Sequence, residues 1–463
     1  SQQTILTFLT RMIKSLEWRM KNTFIRISYI RIPYRFNANS LFSPKIDANS
    51  PLGPKIKYYI KVHLLLPIYK FVSGYFFTIV YPVNYILSVW RRGIKYSNSV
   101  LHISYMVHIP YYTTRILRRE GIKADYLAVG GKSPWWDKYD YHFCSASPLQ
   151  EMLFFWKVVA KYEVIHSHFG IMMSRSGWEA PILKRMGRKI ILHYRGCEAR
   201  DFEKNIKQNP DVNICQECDY NKAVCEEGKK RVALVKDYAD VALVTTPDMK
   251  YFVPEAVHFP FFIPDIDYPE NIHADNTCAV KKEIKIVHAT NHPGIEGTKV
   301  IMRAVERLKE KGHKINFVFL KGVTPERVLN EYRDADLSIG KLKMGYYANA
   351  QIESMYFGVP AITSVRPEFM TDELERSGFI FTDLNNLERT LEYYLTYPEE
   401  LAKKKKFARS SILRIHDNYK LAKNLIEIYK AARNCKYSEE PERQLAVNGK
   451  ARTAELYEYN FVE

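Results

Sequence analysis

The sequence predicts an α/β chain of two successive parallel-sheet units behind a basic and hydrophobic N-terminal region. Three observations carry that prediction. From Ser99 onward short apolar runs alternate with charged, helix-patterned stretches, the rhythm of strand–helix–strand units in a parallel sheet. The rhythm restarts near residue 281, after an irregular Pro-rich passage. Within the second repeat, residues 340–360 (GKLKMGYYANAQIESMYFGVP) read as a small-residue loop opening a helix that stops at Gly358 and Pro360.

Composition bounds the reading. A chain of 463 residues with 46% hydrophobic and 14% aromatic content can bury a large core and is not mainly disordered. Its net charge is +18, yet residues 1–98 alone hold fifteen Lys and Arg against Glu17 and Asp47. The basicity therefore belongs to the N-terminal fifth, where any polyanionic partner is to be sought. Seven cysteines in a chain of this size do not describe a secreted disulfide scaffold, so a reduced, cytosol-facing location is expected.

Residues 1–98 read as a membrane-associating region. Ile5, Leu9, Met12, Ile13, Leu16 and Met20 recur at helical spacing, with Arg11, Lys14 and Lys21 off the stripe, as in a basic amphipathic helix. Residues 71–90 carry no charge over twenty positions, long enough to cross a bilayer core, and Arg91 and Arg92 close the run. Pro82, Asn84 and the tyrosines interrupt it, so a span or re-entrant hairpin, helices lying at 62–90 on the leaflet, and a soluble packing arm all stay open. Basic flanks on both sides favour the cytoplasmic face. No recognition motif interleaves with the charge, so no nucleic-acid partner is expected.

The first unit is placed at 99–280. Residues 100–107 read as its first strand, 111–120 as a helix, 163–170 as a strand running into a loop, and 189–198 as a strand ending in a small-residue turn. Ligands collect at the carboxyl ends of strands in open parallel sheets, which makes His168 and the segment from His193 through Arg195 and Gly196 to Glu198 candidates for chemistry. Cys215, Cys218 and Cys225 follow on a charged loop, and seventeen residues separate Cys197 from Cys215. A C-x2-C knuckle with two more thiols suits a structural zinc; reduced free thiols are the other reading.

The second unit is placed at 281–400. Residues 285–289 and 315–320 read as strands, 291–297 as a Gly/Pro loop, and 298–311 as an amphipathic helix capped by Thr298. Strand ends converge near Asn291 and Thr298, at Lys321, and at 340–350. The last of these carries Lys341, Lys343, Gly345, Tyr346, Tyr347 and Asn349. A loop opening a helix presents unpaired N–H groups and partial positive charge, which suits a phosphate. Glu353, one turn in, can accept hydrogen bonds from sugar hydroxyls. Residues 401–436 read as closing helices and 437–463 as a polar tail.

Residues 352–363, IESMYFGVPAIT, resemble the E-A-M-x-x-G-x-P-V-I signature of retaining GT-B glycosyltransferases of the family 4 (group 1) type. Residues 163–170 resemble that family's D-V-I-H-x-H segment, and His193, Arg195, Gly196, Glu198 and Arg200 its H-x-H-G-x-D-x-R pattern. The chain departs at three positions. Gly345 stands where the family has a first glutamate, Glu296 where it has a lysine, and Arg195 where it has a histidine; Gly345 and the next three residues are similar to the G-W-Y-G of a subgroup.

The resemblance implies two Rossmann-like units facing a cleft, a nucleoside-diphosphate sugar donor, and Glu353 gripping donor hydroxyls. His193, Arg195 and Glu198 would face the reacting sugar, with His168 and Gly196 on the acceptor side. The function expected is retaining transfer of a sugar to a lipid-linked or surface-glycan acceptor, with no cofactor required for catalysis. A degenerate binding or scaffold subunit is the alternative, and a nucleotide-sugar epimerase a third reading.

Overall fold

The computed structural model describes residues 98–144, 147–209, 212, 214–220, 222–265 and 283–434, all within one compact unit of the chain. The N-terminal helix and the uncharged 71–90 stretch lie outside the described residues, as does the tail. Among the described residues no helix is long and apolar enough to cross a membrane.

The first sheet has seven strands, all parallel. They are β1 (Ser99–Ser104), β2 (Lys123–Val129), β3 (Tyr141–Phe143), β4 (Val164–His168), β5 (Lys189–Tyr194), β6 (Val241–Val244) and β7 (Val257–His258). Their order is β3-β2-β1-β4-β5-β6-β7. That is the dinucleotide-fold order with one strand added, and its direction of winding reverses between β1 and β4. Helices α1 (His108–Arg119), α2 (Pro148–Lys157), α3 (Glu179–Arg185), α4 (Phe202–Gln208) and α5 (Lys222–Ala233) connect the strands. Every residue of β1, β4 and β5 is buried, as expected for strands covered on both faces. Helix α1 starts at His108, three residues before the sequence pattern suggested, because Val107 already supplies the extended residue that precedes a helix.

The second sheet orders β8 (Ile284–Ala289), β9 (Ile315–Leu320), β10 (Leu337–Ile339), β11 (Ala361–Thr363) and β12 (Ile380–Phe381) as β12-β11-β10-β8-β9, again all parallel. Its reversal falls between β8 and β10. The chain between 291 and 297 is not a plain loop, since α6 (Pro293–Glu296) forms there. Nor does Thr298 cap the following helix, α7 (Thr298–Glu310). The cap is Gly297, in the left-handed region at φ 86°, while the Thr298 hydroxyl turns to His288 Nε2 at 2.7 Å. Helix α7 buries Ile301, Ala304, Val305 and Leu308 on one stripe against Ile286, Ile315 and Ile362.

Helices α8 (Pro325–Tyr332), α9 (Asn349–Tyr356), α10 (Asp372–Glu375), α11 (Leu387–Thr396) and α12 (Pro398–Ile415) complete this unit, with Leu401, Ala408 and Ile412 of α12 in its core. The last helix, α13 (Asn418–Asn434), returns to the first sheet and packs Leu421, Leu425 and Tyr429 with Val100, Ile116 and Ile191. The crossing is pinned where Asn418 Oδ1 accepts from Ile263 N at 2.9 Å and Asn418 Nδ2 donates to Ile263 O at 3.1 Å.

Candidate active site

Strand alternation assembles the first half of the site. In β4, His166 and His168 fall two residues apart and so share one face. The register pairs His102 of β1 with His166, and His168 with His193 of β5. Four imidazoles therefore stack at the carboxyl end of the first sheet's reversal point. The centroids of His166 and His168 lie 4.4 Å apart, those of His102 and His166 4.6 Å. All four rings are fully buried.

Arg195 fixes the tautomers of these rings, because a guanidinium only donates. Its Nε donates to His168 Nδ1 at 3.1 Å, which puts the His168 proton on Nε2, 2.9 Å from His102 Nδ1. His102 then carries its proton on Nε2, toward the Tyr429 hydroxyl at 3.5 Å, and that hydroxyl donates to His166 Nδ1 at 2.7 Å. His166 Nε2–H points at His193 Nδ1 at 3.1 Å, and His193 Nε2–H at Thr245 Oγ1 at 3.2 Å. Thr245 ends the series by donating to the Tyr194 carbonyl at 3.0 Å.

Every ring in that series is neutral. Burial lowers His102 to about 3 and holds His166, His168 and His193 well below the ordinary histidine value; neighbouring rings and the positive field of Arg195 push the same way. Nitrogens of His102, His166 and His168 lie within 4.8 Å of one another, close enough for three metal ligands. The hydrogen bonds argue against that use. Arg195 donates into the ring position from which a ligating histidine would itself donate, and it brings a cation to the group.

The outcome is a cation held by uncharged partners. The Arg195 guanidinium also reaches Thr245 Oγ1 at 3.4 Å and lies 5.8 Å from the Phe261 ring, and the residue stays partly open to solvent. Burial lowers it to about 9, opposed by Glu198. Glu198 closes the turn after β5: its Oε1 accepts from the backbone N–H groups of Arg195 and of Gly196, the latter at 2.9 Å.

The second half lies at the other sheet's reversal point, where 290–298 and 340–349 follow β8 and β10. Its charges are compensated internally. Buried Glu296 accepts from Lys341 N at 2.7 Å and pairs with Lys341 Nζ at 2.9 Å, tying the start of the loop to α6. Asn291 Oδ1 accepts from Gly322 N at 3.1 Å, and Lys321 is exposed. Gly345 has φ 74°, and a Cβ there would sit 2.6 Å from Arg366 Nε. A side chain such as the family's glutamate would be both strained and obstructed at this position. Tyr346 stacks on Tyr347 at 4.4 Å, and the buried Tyr347 hydroxyl lies 3.0 Å from His416 Nε2.

Asn349 opens α9 and links the two halves. Its Nδ2 donates to Glu353 Oε1 at 2.6 Å and lies 2.9 Å from His108 Nε2 of the first unit. His108 Nε2 is also 3.7 Å from Glu353 Oε1, but this is not an ion pair. Burial raises Glu353 to about 8 and lowers His108 to about 4, so near neutral pH the acid holds its proton and the ring lacks one.

The described part of the loop between α4 and α5 bridges the two units. Glu217 pairs with the buried Lys343. Asp219 Oδ2 accepts from Gly294 N at 2.9 Å and Oδ1 lies 3.8 Å from Lys321 Nζ. Ile214 packs with Ile295 and Met344, and Tyr220 meets His292 edge-on at 4.5 Å. Glu217 and Asp219 thus sit against Lys343 and Lys321, two of the three lysines that the sequence offered to a phosphate, and Asp219 also takes the Gly294 N–H. Two surface hollows, of about 460 Å³ beside Asp383 and Arg389 and about 390 Å³ beside Asp265 and Asn418, are lined by none of the proposed site residues.

Sequence reasoning singled out His168, His193 and Arg195 but not His102, His166, Tyr429 or His108. A readable signal existed for one of them, His166, since an H-x-H pair in a buried strand must share a face. Tyr429 and His108 come from distant helices and leave no local mark.

No protein-family model matches the chain, and no curated protein matches it. Among solved structures, the chain is similar to Anabaena HepE in complex with UDP-glucose, with a TM-score of 0.48 at 10% identity over 72% of this chain and 99% of that one. It is also similar to the catalytic domain of starch synthase IV from Arabidopsis thaliana bound to ADP and acarbose, at 0.47 and 11% over 73% and 99%. Sucrose-phosphate synthase from Thermosynechococcus elongatus aligns at 0.46 and 15% over 72% and 98%.

Proposed function

We propose that the chain is a glycosyltransferase that moves a sugar, with retention, from a nucleoside-diphosphate donor to a lipid-linked or surface-glycan acceptor at the cytoplasmic face of a membrane. The observation that carries the reading is the placement of Arg195. A guanidinium that forms no salt bridge among the described residues stands at the reversal point of one parallel sheet, and the Asn349–Glu353 helix start stands at that of the other, bridged by His108. A cation backed by neutral donors and acceptors is preorganised to stabilise charge that develops on a leaving group. Protonated Glu353 can donate to or accept from a sugar hydroxyl. Retention rests on the family resemblance alone, and membrane attachment on the sequence of residues 1–98.

A second reading, a binding subunit that has lost the reaction, is favoured by one observation: Lys341 and Lys343 are paired with Glu296 and Glu217, and Asp219 lies near Lys321. For transfer, Glu217 and Asp219 must withdraw from the second unit when a diphosphate enters. The test is incubation of the full chain with a panel of nucleoside-diphosphate sugars, following nucleotide release and thermal shift. Nucleotide release with any donor supports transfer. A thermal shift without release supports the binding subunit, and neither response with any donor sinks the transferase reading.

A further inference from the structure

Two consecutive tryptophans on the loop between β2 and β3 do different work. Trp136 packs inside the first unit. Its ring meets His108, Tyr111 and Tyr112 edge-on at 5.8, 5.5 and 5.7 Å, and its Nε1 donates to the Lys138 carbonyl at 2.8 Å. Trp135 reaches the second unit instead: its Nε1 donates to the Gly322 carbonyl at 2.8 Å, while the residue stays 46% exposed. Packing accounts for Trp136. It does not account for an indole whose polar end is fixed and whose ring stands nearly half in water.

The loop holds that ring in place. Ser133 N donates to Met106 Sδ at 3.3 Å, and Trp135 N donates to Ser133 Oγ at 3.2 Å. Pro134, between them, fixes its own φ and restricts Ser133 to extended backbone. On the other side, Gly322 follows the end of β9, and Asn291 Oδ1 accepts from its N–H at 3.1 Å. A Cβ on Gly322 would meet nothing within 4 Å, so the space beside this peptide is open. A fixed aromatic ring from the first unit therefore borders open space at the carboxyl end of β9.

Sheet order says what would reach that point. The second sheet reverses between β8 and β10, and β9 flanks β8 on the other side. In such a sheet a bound nucleotide sets its phosphates at the turn after the first strand and its ribose toward the end of the next. Here those places are the segment from Asn291 after β8, and Lys321 with Gly322 after β9. The base lies beyond the ribose. We propose that Trp135 is the stacking platform for the donor's nucleobase, lent by the first unit to a nucleotide held on the second. The inference rests on the nucleoside-diphosphate donor proposed above. Every base has a π-face, so the platform adds affinity for the nucleoside without selecting among bases.

The test is calorimetric titration of the full chain with UDP, ADP, GDP and inorganic pyrophosphate, the last carrying no base. Trp135→Ala should weaken nucleoside diphosphate binding by about five- to 150-fold, the loss of one base stack, and leave pyrophosphate binding unchanged. Trp135→Phe keeps a ring without the bond to Gly322 and should fall between wild type and alanine. Circular dichroism checks that both variants fold. Nucleoside diphosphate should quench the wild-type tryptophan emission, and most of that quench should vanish in Trp135→Phe. Equal nucleoside diphosphate affinity in wild type and Trp135→Ala would overturn the platform and leave the donor reading standing. So would an equal loss of pyrophosphate binding, which would make Trp135 a tether between the units. Wild type that binds no nucleoside diphosphate would sink the donor reading and the platform together.

Discussion

The strand ends of the two units hold cations in opposite ways. In the first, Arg195 is braced by His168 and Thr245, neutral groups themselves hydrogen-bonded in series through Tyr429 to the Tyr194 carbonyl. In the second, Lys341 and Lys343 already face carboxylates. Bracing by neutral dipoles fixes a charge without cancelling it; pairing fixes it and cancels it. An anion arriving between the units therefore meets, on one side, a guanidinium in no salt bridge among the described residues, and on the other must displace Glu217 or Asp219. The first unit is built to act on charge, the second to exchange it.

The largest effect expected from this contrast is at Arg195. Arg195→Met removes the cation while keeping an unbranched apolar stem, and should lower kcat/KM for transfer by roughly 10²- to 10³-fold, the scale seen when one transition-state donor is deleted. Arg195→Lys should recover little, because an ammonium lacks the planar fork that holds His168 Nδ1 and Thr245 Oγ1 together. Steady-state kinetics with circular dichroism on both variants would decide it. A lysine variant with near wild-type turnover would break the contrast.

Next comes the bracing itself. Tyr429→Phe leaves His166 Nδ1 buried without its donor and disconnects His102 from His166. The expected cost is about 1–3 kcal/mol in urea unfolding, the usual penalty for an unsatisfied buried polar atom. Substituting Tyr346, whose ring packs between Tyr347 and His258, removes no such partner from a buried ring nitrogen and should not reproduce the loss.

These two regions also differ in how far the sequence discloses them. Alternating apolar and amphipathic stretches make both parallel sheets legible, and the loop-to-helix passage at 340–360 locates the second reversal point. The first is legible only in part. His193 and Arg195 end a readable strand, but the rings that complete the cluster come from β1 and β4, and their register is set by long-range pairing that no local pattern encodes. The compensation of Lys343 is less accessible still, since its partner Glu217 is 126 residues away. Gly345 was readable as a departure from the family's pattern. Only the packing of Arg366 explains why a larger residue has no room there.

Glu353 supplies a pH signature for the second unit. Burial raises its carboxyl from 4.5 to about 8, so between those values the native state binds a proton that the unfolded chain releases. Its contribution to stability is therefore greatest at low pH and is lost as the pH rises to about 8. His108 and His102, lowered to about 4 and 3, act in the opposite sense: stability rises with pH up to 6.5 as the unfolded-state rings lose their protons. Glu179, raised to about 7, shares the sign of Glu353. The window between 7 and 8 thus belongs chiefly to Glu353. Glu353→Gln, which mimics the protonated acid, should flatten the fall in unfolding free energy across that window. An unchanged slope would mean the carboxyl is ionised in the native state and the His108 contact is an ion pair after all.

The smallest effect tests exchange at the bridging loop. Glu217 is well exposed, whereas Lys343 is buried, and the Lys343 partner holds the Glu217 carboxyl below the usual carboxylate range. A pair with one solvated member contributes only about 0.2–1 kcal/mol, so Glu217→Gln should leave stability nearly unchanged. If a donor diphosphate must take Lys343 from Glu217, the same variant should bind nucleotide up to about fivefold more tightly, the equivalent of that pair energy. The gain should shrink as salt rises. Calorimetric titration with nucleoside diphosphate against wild type measures it directly. Weaker binding in Glu217→Gln would mean that the carboxylate orders Lys343 for the ligand, and the two units would then share one strategy, fixing their cations in advance.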